Sequence, residues 1–175
     1  NGVINTVVGT GEEYDPDIHA SNGDGGPASQ AYLKNPSSVS IDPDGNLYIA
    51  DGARIRMVNA SGTISTVAGT GYSGYTGDGG LATEAQITSA SGITFDQNGD
   101  FYFSQFFGNG DVVRKVSSNG YISTVVGKGE PGLSGDNGPA SQALLQRPQR
   151  LIINANGFLI IPDKGNSRLR MASHN

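Results

Sequence analysis

The stretch GTISTVAGTG at residues 62–71 decides the reading, because the chain carries it twice more, as GVINTVVGTG at residues 2–11 and GYISTVVGKG at residues 120–129. Each copy alternates apolar and polar residues and ends on Gly-x-Gly, as a short strand running into a turn does. A second string follows each copy: GDGGPASQAYL from Gly23, GDGGLATEAQI from Gly77 and GDNGPASQALL from Gly135. A third reads PSSVSIDPDGNLYIAD from Pro36, ASGITFDQNGDFYFSQ from Ala90 and PQRLIINANGFLIIPD from Pro148. It is two apolar alternations about a polar turn, which is a hairpin written three times. Asp44, Asn98 and Asn156 each precede a glycine there and supply the positive φ of a tight turn. A fourth string, ARIRMV from Ala53, DVVRKV from Asp111 and SRLRMA from Ser167, ends each unit.

Each unit therefore offers four short strands: a near Val39, b near Tyr48, c near Ile55 and d near Ile64. Four antiparallel strands per repeat make a β-propeller blade, so an all-β fold with three blades is expected. The chain 1–175 reads as one propeller segment with units of about 1–61, 62–119 and 120–175. The GDGG string is too glycine-rich for a strand, and Pro27 and Pro139 suit the first turn of a very short helix. It is expected to be a packed loop carrying Ala31, Leu33, Ala85, Ile87, Ala143 and Leu145 between blades.

These four strings, GTISTVAGTG, GDGGPA with its AxL, NPSSVSIDPDGNLYIAD and RIRMV, resemble the long form of NHL repeats over nearly the whole chain. NHL propellers commonly have six blades, so the resemblance implies that two sets of three make a ring. It does not fix a function, because the family holds scaffolds, ligand binders and enzymes. Unit two departs most from the pattern. Ala90 replaces Pro, Gln105 replaces the Asp of positions 51 and 163, and Phe106-Phe107-Gly108-Asn109-Gly110 lengthens a loop.

Along the chain the strands run d, abcd, abcd, abc, so the first d near Val7 lacks a preceding c and the last c near Leu169 lacks a following d. An unpaired edge is a template for another chain. Ile4, Val7, Ile55, Leu169 and Arg170 are the candidate assembly-edge residues. The expected partner is the chain itself or adjoining copies of the repeat. That gives the three-bladed half of a six-bladed dimeric ring, part of a longer array, or an open filament where the rotation does not close.

Composition narrows the function classes. With 11 Lys and Arg against 16 Asp and Glu the net charge is −5, which repels phosphate backbones and argues against nucleic acid. No apolar run is long enough to span a membrane, no signal peptide is recognised, and the opening at Asn1 rather than Met reads as an excised or processed piece. Cysteine is absent, which excludes disulfides, thiolate catalysis and Cys-type zinc sites.

Asp42-Pro43-Asp44-Gly45-Asn46 and Asp96-Gln97-Asn98-Gly99-Asp100 open like calcium loops but lack the glutamate at position twelve, and side-chain bonding within a hairpin turn explains them. Asp24, Asp78 and Asp136 read as loop caps. Arg56, Arg114 and Arg170 on strand c, with Asp51 and Asp163 after strand b, read as structural clamps. Repetition supports this, because a packing residue is needed in every blade and a catalytic one only once.

The resemblance extends to metal-dependent lyases of peptide amidation, which use axial histidines. Here the only histidines are His19, in an irregular loop, and His174, near the end of the sequence. The expectation is therefore a non-enzymatic scaffold with no cofactor and no metal.

What differs between copies is what the fold does not demand. These parts are residues 12–22, the Tyr72-Ser73-Gly74-Tyr75 loop and residues 106–110. They give Tyr14, Asp17, His19, Tyr72, Tyr75, Phe106, Phe107 and Asn109 as candidates for binding a protein, peptide or glycan in a lectin-like manner. Asn59-Ala60-Ser61 is a glycosylation sequon at an expected turn, in keeping with an extracellular setting.

Overall fold

The computed structural model describes residues 2–12, 22–106 and 110–173. Each hairpin string folds as expected, and for the same local reason. The Asp42 carboxylate accepts the backbone N–H of Asp44 at 3.0 Å and of Asn46 at 2.8 Å, and Asn46 Nδ2 donates to it as well. Asp96 takes the N–H groups of Asn98 and Asp100, and Asn154 those of Asn156 and Phe158. These side chains are turn staples.

The turns join strands β1 (Pro36–Ile41), β2 (Leu47–Asp51), β3 (Arg54–Val58) and β4 (Ile64–Ala68) into a first antiparallel sheet of order β1-β2-β3-β4. β5 (Ala90–Phe95), β6 (Phe101–Gln105), β7 (Asp111–Val116) and β8 (Ile122–Gly129) form a second in the same order. β9 (Ile152–Ile153), β10 (Leu159–Asp163) and β11 (Arg168–Ala172) form a third of three strands, with β11 at its edge.

The sheets face one another in succession through apolar cores. Ala50, Ile55 and Ala68 of the first sheet meet Ile93, Phe101 and Phe103 of the second, with Ala82, Ala85 and Ile87 of the intervening loop in the same cluster. Tyr102, Val113 and Val126 of the second meet Leu151, Leu159 and Ile161 around Leu145. The second and third GDGG loops carry Ala85, Ile87 and Leu145 between sheets, while Ala31 and Leu33 of the first pack against Ile64 and Val58 of the first sheet alone. Each forms one 3-10 turn, at Ala28–Gln30, Ala82–Glu84 and Ala140–Gln142.

The loops are tied to the preceding d segment by a repeated pair of bonds, Gly69 N–H to Ala82 O at 2.8 Å and Thr70 N–H to Ala85 O at 3.0 Å. Gly69 has φ +89° and a Cβ there would lie 2.3 Å from the Ala53 carbonyl, so only glycine fits.

Two expectations need correction. The d strand near Val7 is not a strand here, because no c strand lies beside residues 2–12 to bond it. Ile55 is not an edge residue. It is fully buried in β3, which is paired to β2 on one side and β4 on the other.

Candidate functional site

Repetition makes the three copies internal controls, and the copies differ at the two ends. Segment 2–8 is held at its far end as the paired d strands are: Gly9 N–H donates to Ala28 O at 2.9 Å and Thr10 N–H to Ala31 O at 3.1 Å. Val8 packs on Ala28, Ala31 and Ile64. Upstream of that anchor the side chains have no cover. Ile4 is 97% exposed, whereas its counterparts Ile64 and Ile122 are at 0% and 1%.

At the other end, β11 presents Leu169 at 74% and Met171 at 65% exposure, while the Leu169 counterparts Ile55 and Val113 are fully buried. A groove of about 960 Å³ runs along this edge, lined among others by Ala140, Ala143, Leu145 and Ala172.

The floor of that groove contains a cradle built three times. Arg114 is fully buried; its Nε and Nη2 donate to Asp78 Oδ1 at 3.1 and 2.5 Å, and Nη1 and Nη2 to the carbonyls of Gln86 and Thr76 at 3.1 and 3.0 Å. Arg56 does the same with Asp24 and the carbonyls of Tyr32 and Asn22. Arg170 bonds Asp136 at 2.7 Å and the carbonyls of Leu144 and Ser134.

The sequence pairs these arginines with Asp51 and Asp163, which lie farther off, at 3.8 and 3.7 Å. The shorter partner is the loop aspartate. Its recurrence in every unit, 32, 36 and 34 residues before the recurring arginine, was the signal available for that pairing. The guanidinium thus fastens the GDGG loop to strand c.

The cradle loosens at the open end. The Arg170 side chain is 10% exposed against 0% for Arg56 and Arg114, and that of Asp136 is 58% against 34% and 43%.

A second charged group belongs to the second sheet alone. Lys115 Nζ lies 2.5 Å from Asp100 and over the Tyr102 ring. Burial pushes the Asp100 carboxyl up, but the bonds from Lys115 and the Ser118 N–H outweigh it and leave it below the usual range. Burial pushes Lys115 down, and its bonds to Asp100 and Tyr102 reverse that to a net rise. Tyr102 is raised to about 12, chiefly by burial and further by its hydrogen bond to Asp96.

Of the loop candidates, Tyr72 is exposed. Tyr75 is engaged in structure, with its hydroxyl 3.0 Å from Thr124 Oγ1 and Arg114 over its ring. Phe106 is half-buried, at the edge of a hollow beside Ser37, Ala90 and Arg150. Tyr14, Asp17, His19, Phe107 and Asn109 lie outside the described residues. Asn59 is exposed at a β3–β4 turn, its Oδ1 taking bonds from the N–H and hydroxyl of Ser61 and the N–H of Thr63. Among the described residues no group of three His, Cys, Asp or Glu side chains could hold a metal ion, and no helix is long and apolar enough to cross a membrane.

Comparison with known proteins agrees with the repeat. A solved protein of unknown function from Bacteroides thetaiotaomicron shares the fold with a TM-score of 0.66 at 24% identity, over 79% of this chain and 37% of that one. Chicken teneurin-1 is 34% identical over 73% of this chain, and mouse teneurin-4 is 26% identical over 97%. The chain spans only 5% and 9% of the length of these two relatives. The profile of the teneurin NHL domain matches residues 1–76 and 71–132, three quarters of the sequence. The chain belongs to the teneurin NHL domain family.

Proposed function

We propose that this chain is a non-enzymatic NHL-propeller module, three blades in the units 1–61, 62–119 and 120–175, that acts outside the cell or at its surface as a protein-binding scaffold and self-associates through its two open ends. The observation that carries the reading is the pairing of an exposed d segment at residues 2–8 with an open c edge at β11 in one molecule. Equivalent surfaces are buried twice inside the chain. A lyase reading gains no support from the recurring charged residues, which bond one another in every copy.

Leu169, Met171, Val3, Ile4 and Val7 together present the kind of apolar edge that marks an interaction surface. Two copies close a six-bladed ring if the inter-blade rotation is uniform, and a filament forms if it is not.

Light scattering across a wide concentration range tests this. Dimers or open-ended species support it, and removal of residues 1–11 should abolish either one while leaving the β-sheet circular dichroism intact. A monomer at every concentration would refute it.

A further inference from the structure

We infer that the hollow at which the a strands of all three units begin is a binding site for a small carboxylate ligand, an acidic sugar. It measures about 490 Å³, within the size range of small-molecule sites. Ser37 of β1, Ser91 of β5 and Arg150 just before β9 line it together. Its described lining comes from within the three units and involves neither residues 2–8 nor the β11 edge.

What recurs in every unit serves the blade, and what differs is open to another use. Ser37 and Ser91 hold the same place in the hairpin string, with Gln149 as their third-unit counterpart. Arg150 stands where the other units have Ser38 and Gly92, and Phe106 stands where they have Gly52 and Lys164. Gly92 admits the arginine: its φ is +71°, and a Cβ there would lie 2.4 Å from the Arg150 Cα.

This arginine is held unlike the structural ones. Arg56 and Arg114 are fully buried, and each bonds an aspartate and two carbonyls. Arg150 is exposed and reaches from the third unit to the first, where Nη2 donates to Ser37 O at 3.4 Å. That one long bond leaves the rest of its guanidinium fork without a partner among the described residues.

The charge around it selects an anion. The chain carries a net −5, yet among the described residues that line the hollow Arg150 is the one charged side chain. The acids at the neighbouring strand ends are engaged elsewhere: Asp51 takes the N–H of Asn35 at 2.8 Å, and Asp163 that of Gln146 at 2.7 Å. In the second unit, whose Phe106 borders the hollow, the same position is the neutral Gln105.

A carboxylate matches the guanidinium fork through two parallel N–H bonds. The hydroxyls of Ser89 and Ser91 and the side-chain amides of Asn35 and Gln149 also line the hollow and suit the hydroxyl groups of a sugar ring. Phe106 at its edge presents an aromatic ring, whose negative face attracts the C–H side of such a ring. One guanidinium, several neutral hydrogen-bonding groups and one aromatic together fit a hexuronate better than a bare anion.

Isothermal calorimetry of the whole chain with glucuronate tests this, with glucose, acetate and inorganic phosphate as comparison probes. Saturable glucuronate binding is expected, at least about tenfold tighter than that of glucose or acetate. Arg150→Ser gives the third unit the residue of the first and should weaken glucuronate at least about tenfold with the β-sheet circular dichroism kept. Arg147→Ser, at an exposed arginine outside the described lining whose second-unit counterpart is Ser89, should leave binding unchanged. No glucuronate binding, phosphate binding as tightly as glucuronate, or equal losses in the two variants would overturn the inference. Acetate binding as tightly as glucuronate would overturn the sugar assignment.

Discussion

Replacing Arg114 with methionine keeps the stem and removes the charge at a cradle whose arginine is fully buried. The arginine is fully buried and makes bonds to Asp78, Gln86 O and Thr76 O. The Asp78 side chain is 43% exposed, so its carboxylate can turn to water and its share is largely screened. The carbonyls of Gln86 and Thr76 lose a fully buried donor in part-buried bonds, and each acceptor left unmade costs about 1–2 kcal/mol.

The expected loss is about 3 kcal/mol, within the range for breaking a buried pair by removing one partner. Arg170→Met should cost only about 1 kcal/mol, since its side chain is already 10% exposed and that of Asp136 is 58% exposed. Urea unfolding followed by circular dichroism, with both variants at one protein concentration, measures the two side by side. With a slope of about 2 kcal/mol per molar urea for a chain of this size, the Arg114 midpoint should fall by about 1.5 M and the Arg170 midpoint by about 0.5 M. Equal losses, or an Arg114 loss under about 1 kcal/mol, would refute the argument that burial grades the three cradles.

Two further outcomes follow from the second sheet. Gln105 is fully buried and among the described residues neither its Oε1 nor its Nε2 has a hydrogen-bond partner, so Gln105→Met should keep or raise stability by up to about 1 kcal/mol; a loss beyond about 1 kcal/mol in the same urea assay would mean that the amide is satisfied after all. Tyr102 is raised to about 12, so it favours the folded state fully below the ordinary tyrosine range near 10 and loses that contribution as pH climbs from there toward 12. Tyr102→Phe should flatten the fall in stability between about pH 10 and 11.5, and an unchanged alkaline limb would refute it.

The strands were legible in the sequence because local chemistry repeated with them. Asp42, Asp96 and Asn154 cap their own hairpins within four residues, and the short apolar runs that open Leu47–Asp51 and Phe101–Gln105 mark the strands after the turns. Contacts that join distant strings were harder to read. Asp24 meets Arg56 across 32 residues and Asp78 meets Arg114 across 36, and no local pattern fixes which aspartate an arginine selects. Tyr75 looked like a free aromatic for a related reason: its cover comes from Arg114 and Thr124, which are remote in sequence. Ile55 was misplaced at an edge, since the strand order d, abcd, abcd, abc already sets a d strand at Ile64 beside its c strand.

The same comparison bears on the outer surfaces of the first and third sheets. Within a repeat array, energy is the sum of unit terms and nearest-neighbour interfaces, so a surface used between units must be apolar in every unit, the terminal ones included. A solvent-adapted end would put a polar side chain at the positions of Ile64 or Ile55. Here the terminal positions hold Ile4 and Leu169, as apolar as their buried counterparts. Arg170 and Asp136 likewise keep the cradle that fastens loop to strand where no fourth strand lies over it. Both outer surfaces retain the chemistry of an interior interface.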